Sequence, residues 1–398
     1  MNPTTVLHII TRLDLGGAQQ NTLDTCFGLD RKRFNVALMY GPGGPLDELA
    51  LRLPPSEREI IGSLGRSVRP WRDAVAVSEM RARIGARLRH HIDRGGAPER
   101  FIVHTHSSKA GVLGRLAARS LGIQNLVHSV HGFSFHEGQA EPIRRAFIAA
   151  EQRCADWTRV FICVGRANLA EAQSRGIIRP HHQAVVIRSG MDLQPFRAAV
   201  EDRYPSRRVL GIPPQMPLFL SVANLKPQKD PLTLLEAFAR VSRDEPRARL
   251  WFVGDGELRS SVERRIARHK LENRFVLMGW QTNVPQLMAA SDVVVLASLF
   301  EGLPRVAVQA VAAERPFVGT RVDGTGEVIR HGVNGFLTEP RNPQRLAHFM
   351  LKALRERPVD PAPQARTAAW SLMNLIECQQ EIYERLIRGE RVPRRQMG

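Results

Sequence analysis

A chain of 398 residues with 43% apolar and 24% charged content can form two globular domains, each burying a core of its own. Lys and Arg number 57 against 39 Asp and Glu, a formal charge of +18, so polyanions come first among partners: nucleic acid, acidic lipid headgroups or a diphosphate-bearing substrate. Four widely separated cysteines without a CxxC pair exclude a disulfide framework and a cysteine-built zinc site, and no apolar run approaches the roughly 20 residues that span a bilayer. The first residues, MNPTTVLHIITRLDLGG, lack the order of a secretory signal. The expectation is a reducing, cytoplasmic compartment, with any membrane contact peripheral.

In chain order, short runs rich in β-branched residues fall at 6–10, 35–40, 101–105, 125–130, 160–164 and 184–189. A second series falls at 218–222, 250–254, 274–278, 293–297 and 316–320. Their hydrophobicity is continuous rather than alternating, the mark of strands covered on both faces. Helical patterns separate them, which predicts an α/β fold of doubly wound parallel sheets. Residues 196–217, polar and proline-rich, read as a hinge between two Rossmann-like domains, 1–196 and 197–370. An apolar-periodic stretch at 370–387 predicts a carboxyl-terminal helix, so that 371–398 forms a helix packing back on the first domain and a basic tail.

Several motifs sit where such sheets bind ligands, at the carboxyl ends of strands. Gly16 and Gly17 make a tight turn before a helix starting near Ala18, letting backbone N–H groups approach a phosphate or sugar. In the segment 69–94 arginine clusters late on a helical pattern, and it reads either as a solvated crossover helix or as a surface resting on anionic lipid. His104 and His106 share one face of a strand, but without an evident third ligand a metal is not expected. Ser107, Ser108 and Lys109 open the next helix, where serine is a good cap. His131 and Gly132 follow the next strand, and a histidine there can bridge ligand hydroxyls. Asp230 and Pro231 are explained by helix initiation. Lys226 and Lys229 are not, and a diphosphate at that loop is one reading of them and a solvated loop lysine the other. Glu301 ends the strand run 293–297 and precedes a helix with Leu303, Val306, Ala307, Ala310 and Val311 on its apolar face, placing Gln309 just over two turns in. No aromatic residues interleave with basic ones as a single-strand nucleic-acid surface requires, so no nucleic-acid partner is expected.

Taken together, RLDLGGAQ, HTHSSKAGVLGRLAA, VHGF, NLKPQKD, GDGELR and SLFEGLPRVAVQA resemble, in order and spacing, the family-four retaining glycosyltransferases of GT-B architecture. The resemblance covers nearly the whole chain, and the HTHSSKAG and HGF segments are most similar to bacterial enzymes of surface-polysaccharide synthesis. It implies two Rossmann-like domains facing a cleft, the first on the acceptor side and the second holding a UDP- or GDP-linked sugar. No cofactor or metal is implied. Gly16 and Gly17 would approach the donor phosphate and acceptor, Lys229 would neutralise the leaving diphosphate, and Glu301 would bind donor-sugar hydroxyls. Gly302 and Leu303 would supply backbone donors, and His131 would reach the sugar. The implied partners are a nucleotide sugar, a lipid-linked or oligosaccharide acceptor and an anionic membrane surface at the inner face of the cell membrane.

Two positions depart from the family pattern. Asn224 stands where an arginine usually shares the diphosphate, with Lys226 close enough to compensate. Gln309 stands where a glutamate usually holds the ribose hydroxyls, which predicts weaker donor binding because charge-assisted bonds are about twice as strong as neutral ones. These departures keep open a catalytically weak or non-catalytic GT-B partner protein. A GT-B sugar epimerase would need further acid–base carboxylates beside Glu301.

Overall fold

The computed structural model describes residues 4–135, 139–301, 303–322 and 324–392. The chain divides into two units, Met1–Met191 with Ala369–Gly398, and Asp192–Ala368. The first holds strands β1 (Thr4–Arg12), β2 (Phe34–Gly41), β3 (Arg58–Ile60), β4 (Phe101–His106), β5 (Leu126–Val130), β6 (Val160–Cys163) and β7 (Gln183–Val186). The second holds β8 (Leu218–Val222), β9 (Arg249–Val253), β10 (Phe275–Gly279), β11 (Val293–Leu296), β12 (Phe317–Thr320) and β13 (Gly335–Thr338).

The sheets are parallel, a seven-stranded one ordered β3-β2-β1-β4-β5-β6-β7 and a six-stranded one ordered β10-β9-β8-β11-β12-β13. Both are doubly wound, as the continuous apolar runs predict. Two strands escape the sequence reading. β3 is a charged edge strand of three residues, and β13, GFLT, carries too little apolar run to stand out.

In the first unit, Val6, Ile10, Val36, Leu38, Ile102 and Val127 bury one sheet face against Leu23, Cys26 and the helix Leu372–Ile387, through its Leu375, Ile382 and Leu386. The other face packs Leu7, Ile9, Ala37, Met39 and Val103 on the helices Pro70–Asp93 and Ser108–Arg119. In the second unit Phe219, Leu250, Phe252, Val293 and Val295 pack against Leu234, Phe238, Leu346 and Met350. All four cysteines are buried and free.

The segment read as a hinge is instead part of the second unit's packing. The first unit ends at Met191, short of the residue 196 read from the sequence, and the short helix Gln194–Ala198 packs on the helices Val284–Ala290 and Arg305–Ala312. The helix Arg203–Val209 then supplies Arg203 and Arg207 to Asp292, at the foot of β11. Arg207, 2% exposed, also donates to the carbonyls of Ala290, Pro213 and Met216, while Asp292 accepts the Leu218 N–H at 2.8 Å.

Removing one partner from a buried, hydrogen-bonded ion pair leaves the other uncompensated. Asp292→Ala is therefore expected to destabilise the second unit by about 3–5 kcal/mol, whereas Asp292→Asn, which keeps an acceptor for Leu218, loses less. Urea unfolding of the two variants checks this, and an Ala variant as stable as the parent overturns it.

Candidate active site

In each sheet the order of strands reverses once, between β1 and β4 and between β8 and β11. The loops leaving such a pair diverge to opposite faces, which opens a crevice at the strands' carboxyl ends. Both candidate constellations stand at these points.

In the second unit the loop after β8 contains a short 3-10 turn, Pro227–Lys229, and the loop after β11 runs from Ser298 to Glu301. The two are stitched together: Leu299 N–H donates to Gln228 O at 2.8 Å, and Gln228 Nε2 donates to Phe300 O at 2.9 Å. That brings the Lys229 ammonium onto the Glu301 carboxylate in a direct ion pair, with side chains 18% and 6% exposed. Ser298 Oγ donates to the same carboxylate oxygen at 2.5 Å, and the Ser298 carbonyl accepts from Thr320 Oγ1 at 2.5 Å. Lys229 and Glu301 are thus held as one unit, not as separate loop residues. Asp230, at φ 44° and ψ 56°, caps the next helix by accepting from Thr233 N–H, as the sequence predicts.

Asn224 and Lys226 are half-buried on the same loop, where Lys226 N–H donates to Asn224 O at 2.9 Å. The GDGE turn after β9 packs against that loop: Leu225 N–H donates to Asp255 O at 3.0 Å. Gly254 (φ 124°) admits no side chain, since a Cβ would lie 2.0 Å from the Ala223 carbonyl oxygen. Leu303 is half-buried, and Gly302 lies outside the described residues. The helix bearing Gln309 begins at Arg305, not beside Glu301, so Gln309 is little more than one turn in, where two were expected. Pro304 precedes the first turn and delays the helix.

In the first unit Gly16 stands in extended conformation at the N-cap of the helix Gly17–Gly28. The Ser107 cap expectation is corrected. Its hydroxyl lies 2.7 Å from Thr11 Oγ1, and it is Thr11, from the neighbouring strand, that accepts the Ala110 N–H at 3.0 Å and so caps the helix Ser108–Arg119. Ser107 itself sits at φ 61°, ψ 154°, a region costly for any residue but glycine.

His131 follows β5, on the far side of β4 from Gly16 and Gly17. Its Nε2 lies 3.2 Å from His106 Nδ1, and His106 Nε2 lies 2.9 Å from His8 Nδ1. His8 is the third imidazole that the spacing of His104 and His106 does not reveal, for it pairs in register with His104 across β1 and β4. Each ring is already bonded. One nitrogen of each of the three rings lies within 4.8 Å of the others, but both nitrogens of His104 are engaged, Nδ1 2.6 Å from Tyr383 Oη and Nε2 2.8 Å from Ser129 Oγ. In a second grouping, Asp156 with His181 and His182, the Arg179 guanidinium donates to Asp156 and the Arg179 backbone N–H to His182 Nδ1. A cavity of about 650 Å³ lies at the opposite, amino-terminal end of the first sheet, lined by Thr5, Asn35, Arg31, Arg87 and Arg94, away from all these groups.

Residues 15–195 match the family model described as Glycosyltransferase Family 4, and residues 202–369 the model described as Glycosyl transferases group 1. The chain belongs to the family-four GT-B glycosyltransferases. The UDP-Gal:alpha-D-GlcNAc-diphosphoundecaprenol alpha-1,3-galactosyltransferase of Escherichia coli is 29% identical over 339 residues, 84% of each chain. The putative glycosyltransferase EpsD of Bacillus subtilis is 28% identical over 240 residues, 59% of this chain and 62% of its own. Among solved structures, Anabaena HepE in complex with UDP and glucose superposes with a TM-score of 0.78 at 22% identity, over 96% of this chain and 99% of its own, a likeness of fold. This glycosyltransferase has no helix, among its described residues, long and apolar enough to cross a membrane.

Burial favours the neutral form of four imidazoles in the transferase's first unit, His8, His104, His106 and His128. The His8 ring is pushed down to about 3, by desolvation first and the Arg31 charge second. His104 is lowered by desolvation first and then by His8, His128 and His131, His106 by desolvation and then by His104 and its histidine neighbours, and His128 by desolvation and then Arg115. Below the ordinary histidine value of about 6.5 the unfolded chain binds protons that the folded chain refuses, so stability falls as pH falls from 6.5 toward those lowered values. Each group contributes up to about 1.4 kcal/mol per pH unit in that window. The first unit is expected to lose most of its denaturant resistance between pH 6.5 and 5. Unfolding followed at stepped pH checks this, and a flat midpoint across that interval overturns it.

Proposed function

We propose that the chain is a retaining, metal-independent transferase that moves a hexose-type sugar from a UDP- or GDP-linked donor to a lipid-linked or saccharide acceptor in surface-polysaccharide synthesis. The observation that carries this reading is the Lys229–Glu301 pair at the second unit's switch point. Before a donor arrives, each charge compensates the other, which a partly buried ammonium and carboxylate require. On donor binding Glu301, still oriented by Ser298, accepts hydrogen bonds from sugar hydroxyls, and Lys229 turns to the diphosphate. The bond from the anomeric carbon to the phosphate oxygen breaks while the acceptor oxygen bonds to that carbon from the same face. The acceptor's proton passes to the departing diphosphate, so no protein base is needed. Lys229 stabilises the charge that grows on the leaving group. Gly16 and Gly17 are assigned to the donor phosphate and acceptor, His131 to the sugar, Gly302 and Leu303 to backbone donation, and Gln309 to the ribose. Asn224 leaves the diphosphate to the lysines, Lys229 and Lys226.

The printed activity of the Escherichia coli relative, transfer from UDP-Gal to a diphosphoundecaprenol-linked sugar, supports a polyprenyl-diphosphate acceptor. The helix Pro70–Asp93 supports an anionic membrane surface as the place where it is met. Its inner face buries Ala76, Met80 and Ile84, while Trp71 (81% exposed) and Val75 (44%) point outward, with Val68 (59%) just before it. Arg66, Arg69 and Arg72 are exposed around that apolar tip. A tryptophan ringed by arginines suits the boundary between headgroups and acyl chains.

Nucleotide release from a panel of UDP- and GDP-sugars, with polyprenyl-diphosphate-linked saccharides as acceptors and EDTA present, tests the reaction. Turnover with retention at the anomeric carbon is expected, and Lys229→Met should lower kcat by on the order of 10²–10³. An inverted product or a requirement for added metal overturns the mechanism, and donor binding without turnover would make the chain a non-catalytic partner. Separately, Trp71→Ser is expected to weaken sedimentation with vesicles containing phosphatidylglycerol at low salt at least several-fold while leaving turnover of a water-soluble acceptor unchanged. A wild-type protein that ignores such vesicles overturns the membrane assignment.

A further inference from the structure

Arg66, Arg69 and Arg72 do more than surround an apolar tip. With Lys109, Asp73 and Ser67 they line a cavity of about 140 Å³. One wall is the segment 61–69, between β3 and the helix Pro70–Asp93. The innermost cation is Lys109, its side chain 13% exposed, in the first turn of the helix that follows β4. Both segments leave the first sheet at its carboxyl edge, the edge that also carries Gly16 and His131.

The wall is anchored from two helices. Glu79 accepts the N–H groups of Gly62 and Ser63 at 3.2 and 3.3 Å and the Ser63 hydroxyl at 2.7 Å. Lys109 donates to the Ser67 carbonyl at 2.5 Å and pairs with Asp73 at 2.6 Å, while Asp73 also accepts the Arg69 N–H at 3.1 Å. Arg72 donates to the Gly62 carbonyl at 3.3 Å. Among the described residues no carboxylate pairs with the three guanidinium groups, and Asp73 is the one acid in the lining. Other arginines of this unit do find acids, Arg31 with Glu57 and Arg33 with Glu384. Four basic side chains held around one carboxylate leave a surplus of positive charge that an anion offsets.

Size, donor type and surroundings select the anion. At roughly 30 Å³ per water the cavity holds several waters, which is room for linked phosphates. Guanidinium forks match phosphate oxygens two at a time. Val68, Trp71 and Val75 are exposed beside the arginines, so the anion that fits carries an apolar chain. A phospholipid headgroup joined by a phosphodiester brings one charged phosphate, whereas a prenyl diphosphate brings two in succession and better matches the surplus of cations. From this we infer that the cavity is the seat of the acceptor's diphosphate, with the start of its isoprenoid chain along Val68 and Trp71. This seat rests on the transferase reading for the identity of its ligand as an acceptor. The two diphosphates of the reaction then have separate holders. Lys229 serves the donor's, which leaves, and the arginines with Lys109 serve the acceptor's, which stays intact and touches no reacting bond.

Calorimetric titration of the full-length protein with farnesyl diphosphate, farnesyl monophosphate and inorganic pyrophosphate, with no donor present, tests the seat. Farnesyl diphosphate is expected to bind about tenfold more tightly than either of the others. Arg66→Gln combined with Arg69→Gln, both exposed positions, should weaken it about tenfold. Equal affinity for the monophosphate would make the cavity a headgroup site and overturn the inference. So would binding that is indifferent to the arginine substitutions, or that is lost in Lys229→Met instead, which would put the ligand at the donor's lysine. The outcome is separable from that of the transferase reading. A protein without turnover that still binds farnesyl diphosphate through these arginines keeps the seat and loses the reading. Turnover of a polyprenyl-diphosphate-linked saccharide whose KM ignores the arginine substitutions keeps the reading and overturns the seat.

Discussion

Parallel pairing is the constraint from which the rest of this transferase follows. Burying continuous apolar strands such as Val293–Leu296 on both faces requires helices above and below the sheet, and so a crossover after every strand. Every strand-to-helix loop within a unit then emerges at the same sheet edge. Where the order reverses, neighbouring strands send their chains to opposite faces, and residues distant in sequence meet. Lys229 reaches Glu301 across a separation of 72 residues, and His8 reaches His106 across 98. Neither pair has any other reason to be adjacent.

The two units meet the cost of polar groups at these points in opposite ways. The second keeps its groups charged and pairs them, with Ser298 and Thr320 holding the carboxylate's loop in place. An ion pair there leaves a carboxylate and an ammonium ready for a ligand rich in hydroxyls and phosphate. The first unit removes charge instead. Burial makes the imidazolium forms of His8, His104 and His106 unfavourable, and the rings satisfy one another as neutral donors and acceptors. Charge in the second unit thus gives electrostatic grip, while neutrality in the first gives fixed directionality of hydrogen bonds.

What could be read from the sequence was whatever depends on neighbours along the chain. The apolar runs identify eleven of the strands, and Asp230 and Pro231 announce their helix start. Lys229 and Glu301 stand out because each follows a strand and lacks a local structural role. The missed contacts are of two kinds. Ser298 as a partner of Glu301 is a bond within one turn, three residues apart, whereas Thr11 as the cap of a helix far along the chain and His8 as the third imidazole depend on strand register, which no local pattern encodes. Residues 196–217 misled for a related reason: a polar, proline-rich segment reads as a linker, yet its arginines are polar because they serve Asp292. β3 and β13 were too short or too weakly apolar to register.

Part of the arginine content is structural. Arg115 is fully buried against Glu151, Thr158 and the Gly111 carbonyl, and Arg207 is spent on Asp292 and three carbonyls. Burial lowers Arg315 to about 10, and Arg274 donates to the Ser242 and Glu245 carbonyls. Such guanidinium groups bind the protein's own backbone and present little charge to a partner. What a bilayer senses within a Debye length of about 10 Å is local density. In the proposed membrane docking, Arg66, Arg69 and Arg72, exposed and close in sequence to Trp71, would supply that density next to an apolar tip.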